Sequence, residues 1–169
     1  MSEPVKANRV IPKLPLEGIR IADLSWGVVG PYTTMCLSLF GAEVIKVESV
    51  HAPELIRVSA PYKDNIVGIN RSFHFARMNT NKYSISLNLN HPKGQGLARR
   101  IVAWADIVVE SFISGSLEKR GLGYEELKKV NPKLIMLSTT SQGKTGPYSK
   151  HPGWGYQLVA LGGFTHLTG

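Results

Sequence analysis

Apolar and polar positions fall into a repeating pattern along the chain. Ile19, Ile21 and Leu24 form a short apolar run bounded by polar residues, which predicts a buried strand. Ser25 to Pro31 holds two glycines and a proline, so the chain must turn there. Pro31 suits the first turn of a helix, where its missing N–H costs little. That helix carries Met35, Leu37, Leu39 and Phe40 and stops at Gly41. Val44, Ile45 and Val47 then predict a second buried strand, giving a parallel crossover from Gly18 to Glu48.

The same alternation continues. Ser49 to Asn70 reads as loop, with prolines at 53 and 61. Ser84 to Leu87 alternates as a strand does, and Asn90 or His91 precedes Pro92 as a cap and first helical residue. Leu97, Ile101, Val102 and Trp104 follow at helical spacing. Ile107 to Val109 predicts a third strong strand ending at Glu110, Tyr124 to Val130 a short helix, and Leu134 to Leu137 another strand. A polar loop and an apolar element beginning at Tyr156–Leu161 close the sequence. This order predicts an α/β fold: a Rossmann-like parallel sheet with helices on both faces, binding ligands at the carboxyl ends of its strands. Residues 1–15 read as a polar N-terminal arm and 16–169 as part of one large domain. The stop at Thr168-Gly169, directly after an apolar segment, reads as a fragment of a longer protein.

Charge adds a partner class. The 169 residues carry a formal net charge of +8. From Asn65 to Ala105 there is no acid, yet Arg71, Arg77, Lys82, Lys93, Arg99 and Arg100 lie there. The segment is either a site for an anionic ligand or a solvated basic face. Cys36 is the single cysteine, so there is no intrachain disulfide, and its apolar neighbours read it as a buried structural thiol. There is no apolar run long enough to span a membrane and no signal-peptide core near the start, which reads as cytoplasmic.

Candidate chemistry begins at the loop of Gly27 and Gly30, which lacks the third glycine of GxGxxG, arguing against a dinucleotide. Glu48 ends the second strand, where a ribose-binding acid would sit; without the fingerprint it reads as a loop-capping or solvent-facing residue. Asn79-Thr80-Asn81-Lys82 offers amides and one cation for phosphate, or is an ordinary polar turn. Ser111, Phe112 and Ile113 follow a strong strand, with Lys119 and Arg120 on the next turn. Ser141 to Tyr148 fails the P-loop spacing, the histidines show no HExxH spacing, and there is no GxSxG elbow, which argues against a nucleoside triphosphatase, a metal site and a serine hydrolase.

In order and spacing, the segments Leu16–Glu48, Asn79–Gly94, Ala105–Ile135 and Ser141–Tyr148 resemble the class III CoA-transferases, the family of formyl-CoA transferase, carnitine CoA-transferase and α-methylacyl-CoA racemase. The resemblance implies a chain more than twice this length that folds as an interlocked homodimer. It implies coenzyme A and acyl-CoA as substrates with no permanently bound cofactor, and a carboxylic acid as acceptor. Nucleic acid, which the +8 charge alone would admit, is not expected as a partner because no recognition motif is present, and a membrane is not expected because no apolar run spans one. Catalysis would pass through an aspartyl intermediate whose aspartate lies beyond Gly169, since none of Asp23, Asp64 or Asp106 replaces it; metal ligands are expected at no position. CoA contacts carry over to Gly27, Val28 and Val29, to Asn79, Asn81 and Lys82, to Ser111, Phe112 and Ile113, to Lys119, and to Thr140 and Gln142. Ser111 stands for the family's usual asparagine and Lys119 for a frequent arginine, losing its two-pronged grip. Val28 replaces a glutamine of the formyl-CoA branch. Trp154 replaces the racemase histidine and cannot carry a proton, so no racemase chemistry is expected. The alternative to a transferase is a noncatalytic CoA-binding module or subunit.

Overall fold

The computed structural model describes residues 13–169, so the arm read at 1–15 lies mostly outside the described residues. Five strands form one sheet: β1 (Arg20–Asp23), β2 (Glu43–Glu48), β3 (Tyr83–Ser86), β4 (Ile107–Glu110) and β5 (Ile135–Ser138). Their order is β3-β2-β1-β4-β5 and every pairing is parallel. Six helices accompany them: α1 (Val29–Leu39), α2 (Phe73–Met78), α3 (Pro92–Trp104), α4 (Tyr124–Val130), α5 (Gly155–Leu161) and α6 (Phe164–Thr168). The fold class read from the sequence is the one observed. β1 is central, and the chain runs outward from it in opposite directions, which opens a crevice at its carboxyl end.

Strand alternation sorts side chains to two faces. Ala22, Leu24, Val47 and Val108 pack with Ala98 and Val102 of α3 and Leu127 of α4. Ile21, Val44 and Val109 pack on the other face, with Leu37 of α1. Register pairs Asp23 with Lys46 of β2, so these two charged side chains share one face.

Helix signals held where residue chemistry is specific. His91 caps α3, its Nδ1 accepting from the Lys93 N–H at 3.2 Å, with Pro92 in the first turn. Gly94 is required, because a Cβ there would run into the Asn88 carbonyl. Helix α1 starts at Val29, two residues before Pro31, and Phe40 forms its end. Helix α2 leaves no signature in the sequence: six residues are too few to display a period, and its cap, Ser72, lies in a polar stretch. The loop read at Ser49–Asn70 contains two short 3-10 turns, at Leu55–Val58 and Lys63–Asn65. Cys36 is half-buried, not fully buried as its apolar neighbours suggested.

Candidate functional site

The carboxyl ends of β1, β2 and β4 meet at a cleft of about 80 Å³ lined by Trp26, Val47, Glu48, Ser49, Ala52, Leu87, Asn88, Leu89, Asn90, Phe112, Leu117 and Arg120. Trp26 and Phe112 meet edge to face, ring centroids 5.5 Å apart. Ser111 ties the two loops together: its Oγ accepts from the Trp26 N–H at 2.7 Å and donates to the Trp26 carbonyl at 3.0 Å. A larger groove of about 380 Å³ runs beside α3 from Glu43 to Trp104. It reaches Glu43, the first residue of β2, and so borders the amino end of the sheet, away from the crevice where α/β folds bind ligands.

Beneath the glycine loop lies a buried charge cluster. Asp23 is fully buried and takes hydrogen bonds from the Ser25 hydroxyl and N–H, from Thr34 Oγ1 at 2.6 Å and from Lys82 Nζ at 3.0 Å. Lys46 Nζ donates to the Ser25 carbonyl and stands 4.0 Å from Asp23 and 3.5 Å from Glu54. Glu54 Oε2 accepts from the Gly27 N–H at 3.1 Å. Two cations and two anions thus balance with almost no solvent contact. Burial pushes the Asp23 carboxyl up, but Lys46, Lys82 and the hydroxyls of Ser25 and Thr34 outweigh it and hold the group below the usual range. Burial pushes the Glu54 carboxyl up, and Lys46 and the Gly27 N–H offset this only in part. Burial likewise lowers the Lys82 ammonium, only partly countered by Asp23.

This changes the role of Lys82. Its three donors are spent on Asp23, on the Pro31 carbonyl at 2.8 Å and on Asn79 Oδ1 at 3.0 Å, and its side chain is 1% exposed. The ammonium braces the fold and is not presented to a phosphate. Asn79 also donates to the Phe75 carbonyl, and Asn81, at φ +60, donates to the Ser38 carbonyl. The acid-free segment scatters in the same way: Arg71 pairs with Asp64 and Arg99 caps the Gly121 carbonyl. Glu48 neither faces solvent freely nor waits for a ribose. Arg57 grips it with two bonds of 2.6 and 2.8 Å, Ser84 adds a third at 2.8 Å, and the Arg57 guanidinium stacks on Phe75 at 3.6 Å.

Of the expected contacts, Phe112 lines the cleft and Ser111 holds its rim. Gly27 sits at φ +76 in the adjoining loop, where Val28 and Val29 are 52% and 65% exposed. Ile113 and Lys119 are exposed beyond the rim, while Thr140 and Gln142 are half-buried in the loop after β5. That loop is drawn onto β4 by Lys144, whose Nζ stands 2.8 Å from Glu110 Oε1. Trp26 and Glu54 escaped the sequence reading, and Arg120, noted only beside Lys119, is the cation that lines the cleft. The signal for Glu54 was Lys46: a lysine inside the apolar strand Val44–Val47 requires a buried anion.

Among the described residues there is no group of His, Cys, Asp or Glu able to hold a metal ion, and no helix long and apolar enough to cross a membrane.

The CoA-transferase family III model matches residues 16–169. The chain is 40% identical over 155 residues to succinyl-CoA:glutarate CoA-transferase of Mus musculus, covering 92% of this chain and 35% of that one. It is 39% identical over 159 residues to the succinyl-CoA–L-malate CoA-transferase beta subunit of Chloroflexus aurantiacus, covering 92% and 38%. The crystal structure of a CAIB/BAIF family protein from Brucella suis superposes with TM-score 0.82 at 36% identity, covering 90% of this chain and 40% of that one. The chain therefore spans little more than a third of the length of these relatives. It belongs to CoA-transferase family III.

Proposed function

We propose that these residues form the CoA-binding part of an enzyme that moves CoA between an acyl-CoA and a carboxylic acid. The observation that carries this reading is the convergence of Trp26, Phe112 and Arg120 at the carboxyl ends of β1, β2 and β4, beside a glycine loop that presents two exposed valines. An aromatic wall with one cation suits a nucleotide base and its phosphate, and an apolar loop suits the pantetheine arm. Gly27, Val28, Val29, Ser111, Phe112, Ile113, Lys119, Thr140 and Gln142 are assigned to this surface; Asn79, Asn81 and Lys82 support it from below.

The carboxylate nucleophile is assigned outside the described residues. The placements of three aspartates support this: Asp23 is sealed against two lysines, Asp64 pairs with Arg71 on an outer loop, and Asp106 caps the Arg20 N–H at 2.9 Å. Such a nucleophile exchanges one activated acyl group for another of similar energy, so the protein's task is to position groups and exclude water. Relatives named for succinyl-CoA make it the first donor to test. The full-length protein, taken as a cytoplasmic homodimer, is assayed with succinyl-CoA against glutarate, malate and acetate, with other acyl-CoA donors following. Failure of transfer with every pair overturns the reading.

A second reading is favoured by one observation: the Chloroflexus relative is a beta subunit. On that reading the protein binds CoA while a partner subunit completes catalysis. Saturable CoA binding without transfer, with transfer restored by a co-expressed partner, selects it.

A further inference from the structure

The Trp26–Gly27 peptide unit is gripped at both ends by residues from distant parts of the chain. Its carbonyl accepts from Ser111 Oγ at 3.0 Å, and its N–H donates to Glu54 Oε2 at 3.1 Å. We infer that Glu54 and Ser111 are positioning residues that lock this peptide in one orientation, and with it the face that the loop presents to CoA. The inference rests on the CoA-binding reading for its second half only.

The need for a lock follows from the loop itself. Gly27 has φ +76, and outside its chain neighbours no heavy atom lies within 4 Å of where a Cβ would stand, so no side chain at position 27 pins this peptide. A glycine populates positive and negative φ with similar ease, and a neighbouring peptide can rotate between them. Whichever way it turns, Val28 and Val29 follow.

Glu54 is a costly way to supply one acceptor. It is 3% exposed, its Oε1 has no hydrogen-bond partner, and Lys46 stands 3.5 Å away. A serine or a backbone carbonyl would satisfy the Gly27 N–H without burying a charge. What the glutamate adds is coupling: through Lys46 the loop is tied to β2, and through the 49–72 excursion to the cleft wall at Ser49 and Ala52. The Gly27 N–H is thereby occupied within the protein and is withheld from a ligand phosphate, unlike the amides of a GxGxxG loop.

The test uses the full-length protein and amide hydrogen exchange resolved at Trp26 and Gly27, with amides of β4 and α3 as internal reference. Glu54→Ala leaves Lys46 short of a buried anion, so the reference amides are expected to report a global loss of stability, and exchange at Gly27 is expected to rise about ten-fold beyond theirs, the scale of one lost hydrogen bond. Glu54→Gln removes the same charge but keeps an acceptor oxygen, so it is expected to remove the excess at Gly27 while the reference amides stay as fast as in Glu54→Ala. Ser111→Ala is expected to free Trp26, and it decides the matter should Glu54→Ala not fold. CoA affinity by calorimetry is expected to fall about ten-fold in Glu54→Ala and to recover in Glu54→Gln. Unchanged exchange at Gly27, a rise there no larger than at the reference amides, or failure of the glutamine to remove the excess at Gly27 overturns the lock. Altered exchange with unaltered CoA affinity overturns its link to the ligand. If the wild-type protein binds no CoA, the functional reading fails, while the exchange contrast still decides the lock.

Discussion

Lys82 Nζ lies 3.0 Å from Asp23 Oδ2, and neither side chain is more than 1% exposed. The pair joins β1 to the start of β3 across the body of the domain. Lys46 and Glu54 complete a neutral set of four, so the consequence of any one substitution depends on the charge it leaves behind. Asp23→Asn leaves two buried lysines facing one glutamate and is expected to cost about 3–5 kcal/mol. Adding Lys82→Met restores neutrality, and the double variant is expected to be more stable than the sum of its parts. Urea denaturation of the single and double variants reads this directly; strict additivity counts against it.

Acid should destabilise the fold through Asp23 and Glu48. Burial raises both carboxyls, but the lysines around Asp23, and the hydrogen bonds of Arg57 and Ser84 to Glu48, leave both below their ordinary values. A carboxyl depressed in the folded state contributes stability above its unfolded value and loses it as pH falls through the folded one. The loss should therefore begin near about pH 4 and deepen below it. Glu54 has the opposite sign: its raised carboxyl favours the folded state at low pH and loses that contribution as pH rises through the folded value. Unfolding midpoints between pH 7 and 3 test the balance. Glu48→Gln should flatten the acid limb, and a midpoint that rises on acidification below pH 4 refutes the assignment.

Glycines divide into required and incidental ones. A Cβ at Gly30 would collide with the Ser25 side chain, and one at Gly94 with the Asn88 carbonyl. Gly96, also in α3, has open space around it. Gly30→Ala and Gly94→Ala are expected to cost about 1–3 kcal/mol. Gly96→Ala is expected to stabilise by up to about 1 kcal/mol. Thermal midpoints that rank the three otherwise would contradict the packing described.

Phe112→Ala removes one half of the edge-to-face pair with Trp26 and one wall of the cleft. CoA affinity should fall about ten-fold, since an aromatic contact of this kind is worth about 0.5–1.5 kcal/mol. Arg120→Ala should weaken CoA more than it weakens dephospho-CoA if the guanidinium reads a phosphate, whereas Lys119→Ala, further from the cleft, should have the smaller effect. Equal losses for both ligands in Arg120→Ala would remove it from the phosphate.

The parallel sheet was legible because the signals were strong and local: apolar runs at Ile107–Val109 and Val44–Val47, the His91-Pro92 cap, and the glycines and proline between Ser25 and Pro31. The site was legible only in part. Lys82 and Asn79 look like ligand-binding chemistry in a sequence, because nothing local shows that Asp23, 59 positions away, consumes the lysine. Glu54 was hidden for the same reason. Charged residues announce their presence, but their partners are chosen by register across the sheet, which places Lys46 beside Asp23. Of the loops that the resemblance named, those at Gly27 and Ser111–Phe112 adjoin the cleft, while Asn79–Lys82 braces the buried charge cluster.

The strand order has a consequence for how the chain reaches this state. β1 is flanked by β2 on one side and by β4 on the other, and the contact of Arg20 with Asp106 spans 86 positions. The β1–α1–β2 unit can pair as soon as it leaves the ribosome, but the far side of β1 must wait while the intervening chain is synthesised. At about 5–20 residues per second that interval lasts several seconds. During it, the apolar face later covered by α3 and α4 is open to solvent. Nascent chains stalled before residue 105 should therefore recruit hydrophobic-binding chaperones, and chains carried past α4 should release them.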